Sequence, residues 1–473
     1  MKVATTPTLT AIDGLSALVA RVIERTGGPA PQRLDLWYLR RKPQRGLMAV
    51  YALPAADPPL ACLQLAEGSM AGPCVRFGAD AVASAVVTGA WPGIVRLPAL
   101  GLTLQAFPED ADLAGLAEVY SLDPGGTAFA RIRDALRAAT GDTSLAPRSV
   151  SSEPLRYKPS DRCVLRLTAR PCGQSVVAKL YADHALAASV HARMETLYAH
   201  QLGEVEAVAA GRTLGPPFIP RPLALLDWLG LTVAEDVRAP YGSGTPTVSE
   251  AAKLLNPRDP PGQSAETVAT IALGLARLHA FPLPRGWPMR SAAGEADRAV
   301  RRAKQLAAYA PGHAERALAL GEQVAERLTE TAPATPRAAH GSFKPAQLLF
   351  RGDRLFITDF DQLCAADPAL DVGYFLAYLR PSALWYRRRG ARTWYEALED
   401  AFLTTYASAL GDLTGDQGEA SRIAGRSHLY SAALLFKIAN RRPNRLNSIR
   451  PGELDAMLGE IGACLETRAP EKC

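Results

Sequence analysis

Two stretches of this chain place charged side chains where they could do chemistry. In Val176-Val177-Ala178-Lys179-Leu180-Tyr181 a lysine interrupts an apolar strand pattern, which would carry its ammonium into a cleft able to pair with nucleotide phosphates. The same pattern also fits an edge-strand lysine whose stem lies along apolar surface. In the second stretch, 338–379, the apolar run Arg354–Thr358 leads to Asp359 and Asp361. Two positions apart on an extended backbone, both carboxylates would project to one side. Upstream in the same segment stand His340, Gly341, Ser342, Lys344 and Gln347. A serine hydroxyl holds its proton too tightly to act as a general base near pH 7, so position 342 supplies none. Lys344 reads either as a cation beside developing negative charge or as an exposed loop lysine.

In order and spacing, Lys179, Glu195, His340–Gln347 and Asp359–Asp371 together resemble the aminoglycoside phosphotransferase family. The resemblance implies an α+β, two-lobed protein-kinase-like fold with a small strand-rich lobe and a larger helical lobe. An additional N-terminal α/β cap domain would precede them, a layout similar to that of maltokinases. It implies ATP and Mg²⁺ as cofactors and a hydroxylated small-molecule acceptor of the sugar or aminoglycoside class.

The implied roles follow position by position. Lys179 would hold the α- and β-phosphates, and Glu195, sixteen residues on, would orient it, with Glu204 as the fallback. The turn Lys158–Arg162 stands where a phosphate loop is expected, which brings in Ser160 and Arg162. Glu235 and Val237 would belong to the hinge that receives adenine. Gln347 and Asp359 take the metal positions, and Asp361 would add a second contact. His340 and Asp371 would brace the loop, and His279 would be a buried core histidine.

The family usually carries Asp where Ser342 stands. General-base assistance is typically worth about 10²–10⁴-fold, while phosphoryl transfer relies mostly on positioning and charge neutralisation. The substitution therefore predicts a slow kinase, with Asp361, Lys344 or a substrate carboxylate as compensating groups. The alternative is a pseudokinase that binds nucleotide or a protein partner without transfer. Nucleotidyl transfer, a third chemistry on such a fold, finds no residue here in its favour.

The elements that must position these residues are legible in outline. Apolar residues at helical spacing over 11–26 end at Gly27-Gly28-Pro29, and strand patterns follow at Leu34–Leu39, Leu47–Leu53 and Ala61–Leu65. A helix over 128–139 leads to a hairpin (Leu155–Tyr157, Cys163–Leu167), the strand 175–181 and a helix over 184–200. Strands 223–227 and 231–235 precede the Pro/Gly-rich loop 239–247, and beyond 265 the pattern is helical apart from 347–360. The expected domains are a cap over 1–110, a connecting helix and linker over 111–150, a kinase-like N-lobe over 151–238 and a helical C-lobe over 239–473, with the acceptor pocket in 380–450. Leu39-Arg40-Arg41-Lys42-Pro43-Gln44 and Leu155-Arg156-Tyr157-Lys158-Pro159-Ser160 echo each other as strand-turn-strand, either by chance or because the cap imitates the N-lobe.

Composition narrows the class. A hydrophobic content of 48% suffices for real cores, and a net charge of +6 is mildly basic. Arginines at 387–389 and at 441, 442 and 445 read as solvated helix faces or as an anion attractor, and no aromatic interleaving suggests nucleic acid. Seven scattered cysteines (62, 74, 163, 172, 364, 464, 473) form no CxxC pair, which points to reduced thiols without zinc. The opening MKVATTPTLTAIDGL has no apolar leader core and no stretch approaches a membrane span, so a cytoplasmic protein is expected.

Overall fold

The computed structural model describes residues 10–42, 46–54, 56–66, 70–71, 74–75, 79–209, 218–239, 247–331, 335–380, 389–441 and 452–466. Most of the loop 239–247, the echo's first turn at 43–45, Arg387, Arg388, Arg442, Arg445, Cys473 and the side chains of Cys74 and Glu204 lie outside them. The chain forms two compact units, the first holding residues up to His191 and again from Arg221 to the hinge region. Residues Ala192–Pro220 and nearly everything beyond the hinge make the second.

The first unit contains two five-stranded antiparallel sheets. One comprises β1 (Asp35–Lys42), β2 (Gly46–Ala52), β3 (Leu60–Leu65), β4 (Ile94–Leu97) and β5 (Leu102–Ala106). The other comprises β6 (Ser149–Lys158), β7 (Arg162–Arg170), β8 (Ser175–Tyr181), β9 (Pro222–Leu226) and β10 (Leu231–Glu235). Both have the same order, with the fifth strand inserted between the third and the fourth. Leu39–Lys42 of the first echo segment and the whole of the second thus fall in the opening hairpin of their own sheet.

The likeness extends to the last connection. Pro98–Leu100 and Asp227–Leu229 each form one 3-10 turn, closed by Gly101 (φ 58°, ψ 32°) and Gly230 (φ 65°, ψ 33°). Left-handed backbone of this kind favours glycine. Leu-Gly-Leu-Thr recurs at 100–103 and 229–232, followed in both sheets by Glu-Asp, at 109–110 and 235–236.

Residues alternate between two cores along β2 and β3. Ala49, Tyr51, Ala61 and Leu63 pack with Leu15, Val19 and Val22 of the helix Thr10–Arg25. Val50, Leu60 and Cys62 instead join Phe107, Ile132, Tyr157, Leu165 and Leu231. Burial on both faces explains why these strands read as continuous apolar runs. It also puts the segments 1–110, 111–150 and the second sheet around a shared core inside one unit.

Among the described residues the second unit is mostly helical, with two small sheets. The strand Val248–Glu250 pairs with the hairpin Leu348–Arg351/Arg354–Ile357. Met289–Arg290, Cys364–Ala366 and Arg337–Ala339 form the other. Strands of two or three residues carry no readable period, so the sequence pattern shows only the central hairpin. The helix beginning at His184 continues to Ala209, beyond the expected end near 200. Among the described residues, no helix is long and apolar enough to cross a membrane.

Candidate active site

The two small sheets deliver the segment that carries the chemistry. Arg337–Ala339 leads into His340 and Gly341, and the hairpin leads into Thr358 and Asp359. Gly341 has φ +75°, and a Cβ there would lie 2.3 Å from the Gln362 carbonyl oxygen, so only glycine fits. Asp371, fully buried in the first turn of the helix Ala369–Leu379, accepts the backbone amides of His340 and Gly341 at 2.5 and 2.9 Å. From the other side His279 Nε2 lies 3.4 Å from the same carboxylate, and His279 Nδ1 lies 2.6 Å from the Tyr406 hydroxyl. Burial raises the Asp371 pKa, but the hydrogen bond from His279 and the positive charge of Arg290 help to hold it below the ordinary carboxylate value. The loop is therefore anchored on a true carboxylate.

His340 is oriented at both ring nitrogens. The Thr358 carbonyl, 3.0 Å from Nε2, can only accept, so Nε2 carries the proton and Nδ1 keeps its lone pair. Complete burial pushes the imidazole pKa down, against the opposing charge of Asp371, and keeps the ring neutral. Ser342 Oγ, 3.4 Å away, is placed to donate to Nδ1. Gln347 Nε2 donates to Ser342 Oγ at 3.2 Å and to Asp359 Oδ2 at 2.8 Å. With its proton directed at His340 and one lone pair used by Gln347, the serine retains one lone pair able to accept from a hydroxyl.

Gln347 is 4% exposed, and its Oε1 is buried with no hydrogen-bond partner among the described residues. A buried unpaired amide oxygen is uncommon. Half a turn about the last side-chain bond exchanges N and O and presents Oε1 toward Asp359. An amide oxygen and a carboxylate oxygen suit a hard divalent cation, so the residues present fit such an ion. Asp359 itself adopts a left-handed backbone (φ 68°, ψ 55°), sparsely populated for a side-chain-bearing residue.

That backbone corrects the expectation for Asp361. The strand ends at Ile357, and 360–362 forms a 3-10 turn. The extended pleat that would aim Asp359 and Asp361 to one side is absent, and Asp361 is buried within the turn. Lys344 is half-buried, and its charge contributes to lowering the His340 pKa.

The remaining expected site residues divide between the units. Lys179 pairs in register with Val164 and Thr232, and its ammonium lies 5.3 Å from the Tyr181 ring centroid. Its neighbours Ala178 and Leu180 point into the core, which leaves Lys179 on the opposite face. Glu195 lies in the second unit, exposed on the helix His184–Ala209. Arg162 opens β7 opposite Lys158. Ser160 has φ 58°, and its amide donates to Asp110 Oδ2 at 2.9 Å. That amide is therefore engaged by a carboxylate. Glu235 closes β10, its amide donating to the Arg221 carbonyl at 2.9 Å, and Val237 is buried just beyond.

Three residues with clear positional roles escaped the sequence reading. Asp110 accepts from the Tyr157 hydroxyl at 2.6 Å as well as from Ser160. Asp236 accepts from Arg166 Nε and Ser175 Oγ, both at 2.8 Å. The recurring Glu-Asp after each Leu-Gly-Leu-Thr was the available signal for both. Arg290 donates to the Gly341 carbonyl from 51 positions upstream, and no local pattern marks it.

This arrangement has a family. The chain belongs to the phosphotransferase enzyme family, whose profile matches residues 160–411, more than half its length. Its α+β kinase-like fold is the one expected of that family. No curated protein sequence matches it. Among solved structures it is similar to a glucosamine kinase at 17% identity and a TM-score of 0.46, covering 99% of this chain and 100% of that one. It is also similar to a choline kinase from Cryptosporidium parvum Iowa II (10%, TM-score 0.42, 70% of this chain and 92% of that one). An ADP-bound aminoglycoside phosphotransferase, APH(2'')-Ib, follows (12%, TM-score 0.37, 69% and 95%).

Proposed function

We propose that this protein transfers the γ-phosphoryl group of ATP to a hydroxyl of a small molecule, slowly, with a divalent cation such as Mg²⁺. One observation carries the reading: the Gln347 amide end, 3.2 Å from Ser342 Oγ and 2.8 Å from Asp359 Oδ2, brings the three side chains together on a loop anchored by Asp371. Gln347 and Asp359 would hold the cation, which when bound neutralises charge on the triphosphate. Lys179 takes the α- and β-phosphates, with Glu195 orienting it, and the backbone around Glu235 and Val237 receives the base. Arg162 and the Ser160 hydroxyl, in the turn between β6 and β7, add contacts to the phosphates. Ser342 accepts the acceptor's hydroxyl hydrogen bond and aligns it, without drawing off its proton.

A second reading, a pseudokinase that binds nucleotide or a protein partner, is favoured by the Gln347 amide donating directly to Asp359. Both readings are tested by acceptor-dependent ADP release from the protein and from Ser342→Asp. An aspartate at 342 meets the Gln347 amide as its acceptor and restores the missing base. The phosphotransferase reading expects a rise of about 10²–10⁴-fold in turnover. No release by either protein with any acceptor leaves the pseudokinase reading standing.

A further inference from the structure

We infer that a cavity inside the first unit, between the first sheet and the turn at Ser160, binds a small zwitterion of the amino-acid class. The inference does not rest on the phosphotransferase reading. Thr103 on β5 pairs with Gln64 on β3 and with Arg96 on β4, so three polar side chains stand in one row across three strands. Their flanking residues Leu63, Leu65, Leu102, Leu104, Val95 and Leu97 all pack in the core formed with the helix Thr10–Arg25, which puts the row on the opposite face. Earlier on that face Leu60 and Cys62 join the core shared by the two sheets. At Gln64 the face turns polar, and a cavity of about 450 Å³ replaces the packing. Small-molecule sites commonly span about 300–1,000 Å³.

Asp112 and Ser160 line the same cavity. Asp110 fixes both, taking the Asp112 amide on Oδ1 and the Ser160 amide on Oδ2, each at 2.9 Å. Gln105 Oε1 accepts the Ala111 amide at 3.1 Å and ties this wall back to β5. The backbone is thus held, whereas the side chains of Gln64, Arg96, Thr103, Asp112 and Ser160 make no hydrogen bond or ion pair among the described residues. Arg96 and Asp112 are the charged residues of the lining, opposite in sign and not paired with each other. Their charges sum to zero, which gives a nucleotide or another polyanion no advantage. A molecule carrying both a carboxylate and an ammonium satisfies the two together through charge-assisted hydrogen bonds. Gln64 and Thr103, between them in the fold, suit its remaining polar groups. The equivalent row of the second sheet, Lys179, Thr232 and Leu225, has its cation on β8 and an apolar residue on β9. The same scaffold therefore presents a different charge pattern to its ligand in each sheet.

The test screens the standard amino acids at millimolar concentration by melting of the full chain, without nucleotide. The best of them is then compared by calorimetry with the amine that lacks its carboxylate and with the hydroxy acid that replaces its ammonium. Each analogue should bind at least about tenfold more weakly. Arg96→Gln should weaken the amino acid by a similar factor and leave the amine unaffected. Asp112→Asn should do the same and leave the hydroxy acid unaffected. Both residues reach solvent, so both variants should melt as the parent does. Asp359→Ala should bind the amino acid as tightly as the parent, which separates this cavity from the transfer site. No amino acid binding, analogues binding equally well, or affinity unchanged in both cavity variants overturns the inference. Loss of binding in Asp359→Ala also overturns it and moves the amino acid to the transfer site. Glucose bound as tightly as the best amino acid would make this a polyol site and overturn the zwitterion assignment.

Discussion

The two five-stranded sheets of the first unit share strand order, opening hairpin and a Leu-Gly-Leu-Thr turn, but they differ in charge at the register position opposite the turn's threonine. In the second sheet Thr232 pairs with Lys179, and in the first the equivalent Thr103 pairs with Gln64. Gln64 lines a cavity of about 450 Å³ together with Arg96, Thr103, Asp112 and Ser160. The first sheet thus keeps the architecture and carries a neutral amide where the second carries an ammonium. The left-handed glycine belongs to building this sheet, since both copies have it. The lysine does not, and a feature present in one copy alone is the one to connect with nucleotide chemistry.

The comparison breaks most sharply at those two positions. Lys179→Ala should weaken ATP binding by about 10–100-fold, the worth of a hydrogen bond to a charged group. Gln64→Ala should leave ATP affinity unchanged, and calorimetry on both variants decides. Equal losses would mean that the first sheet also serves the nucleotide.

A smaller effect is expected where the sheets are joined. Asp110→Asn leaves the buried Tyr157 hydroxyl and the Ser160 amide with a weaker acceptor, a cost of about 1–3 kcal/mol. Melting should fall by several degrees while Asp236, the equivalent residue, still holds Arg166 and Ser175. An unchanged melting temperature would show that the shared apolar core alone joins the two sheets.

The smallest effect is electrostatic and lies in the second unit. Burial holds His340 and His428 below the ordinary histidine value, so their neutral forms stabilise the fold above pH 6.5. That contribution is lost as pH falls through the folded values, with a slope of at most about 1.4 kcal/mol per pH unit for each proton. The depressed Asp371 contributes above pH 3.8 and is lost only below it. Melting followed from pH 7.5 to pH 5 should therefore decline first from the histidines. A flat profile contradicts the assignment of neutral His340.

Much of this was readable from residues in order. Short apolar runs marked strands of both sheets, and His340, Gly341, Gln347, Asp359 and Asp371 marked the loop that the structure assembles. What stayed hidden has specific causes. Asp361 was misplaced because strand period was extended past Ile357 into a left-handed turn that only the folded backbone reveals. The sheet holding Arg290 consists of strands too short to show a period, so its reach to Gly341 had no local trace. The shared core of the two sheets depends on which face each strand buries, and strands buried on both faces do not announce it.

The most direct measurement is the melting temperature with and without ATP and Mg²⁺, for the protein and for Asp359→Ala. At ligand concentrations near 100 times the dissociation constant, binding adds about 2.7 kcal/mol, a rise of a few degrees. The account predicts a rise that requires both ATP and Mg²⁺ and disappears in the variant. An equal rise in Asp359→Ala, or none in either protein, would contradict a nucleotide–metal site built on Gln347 and Asp359.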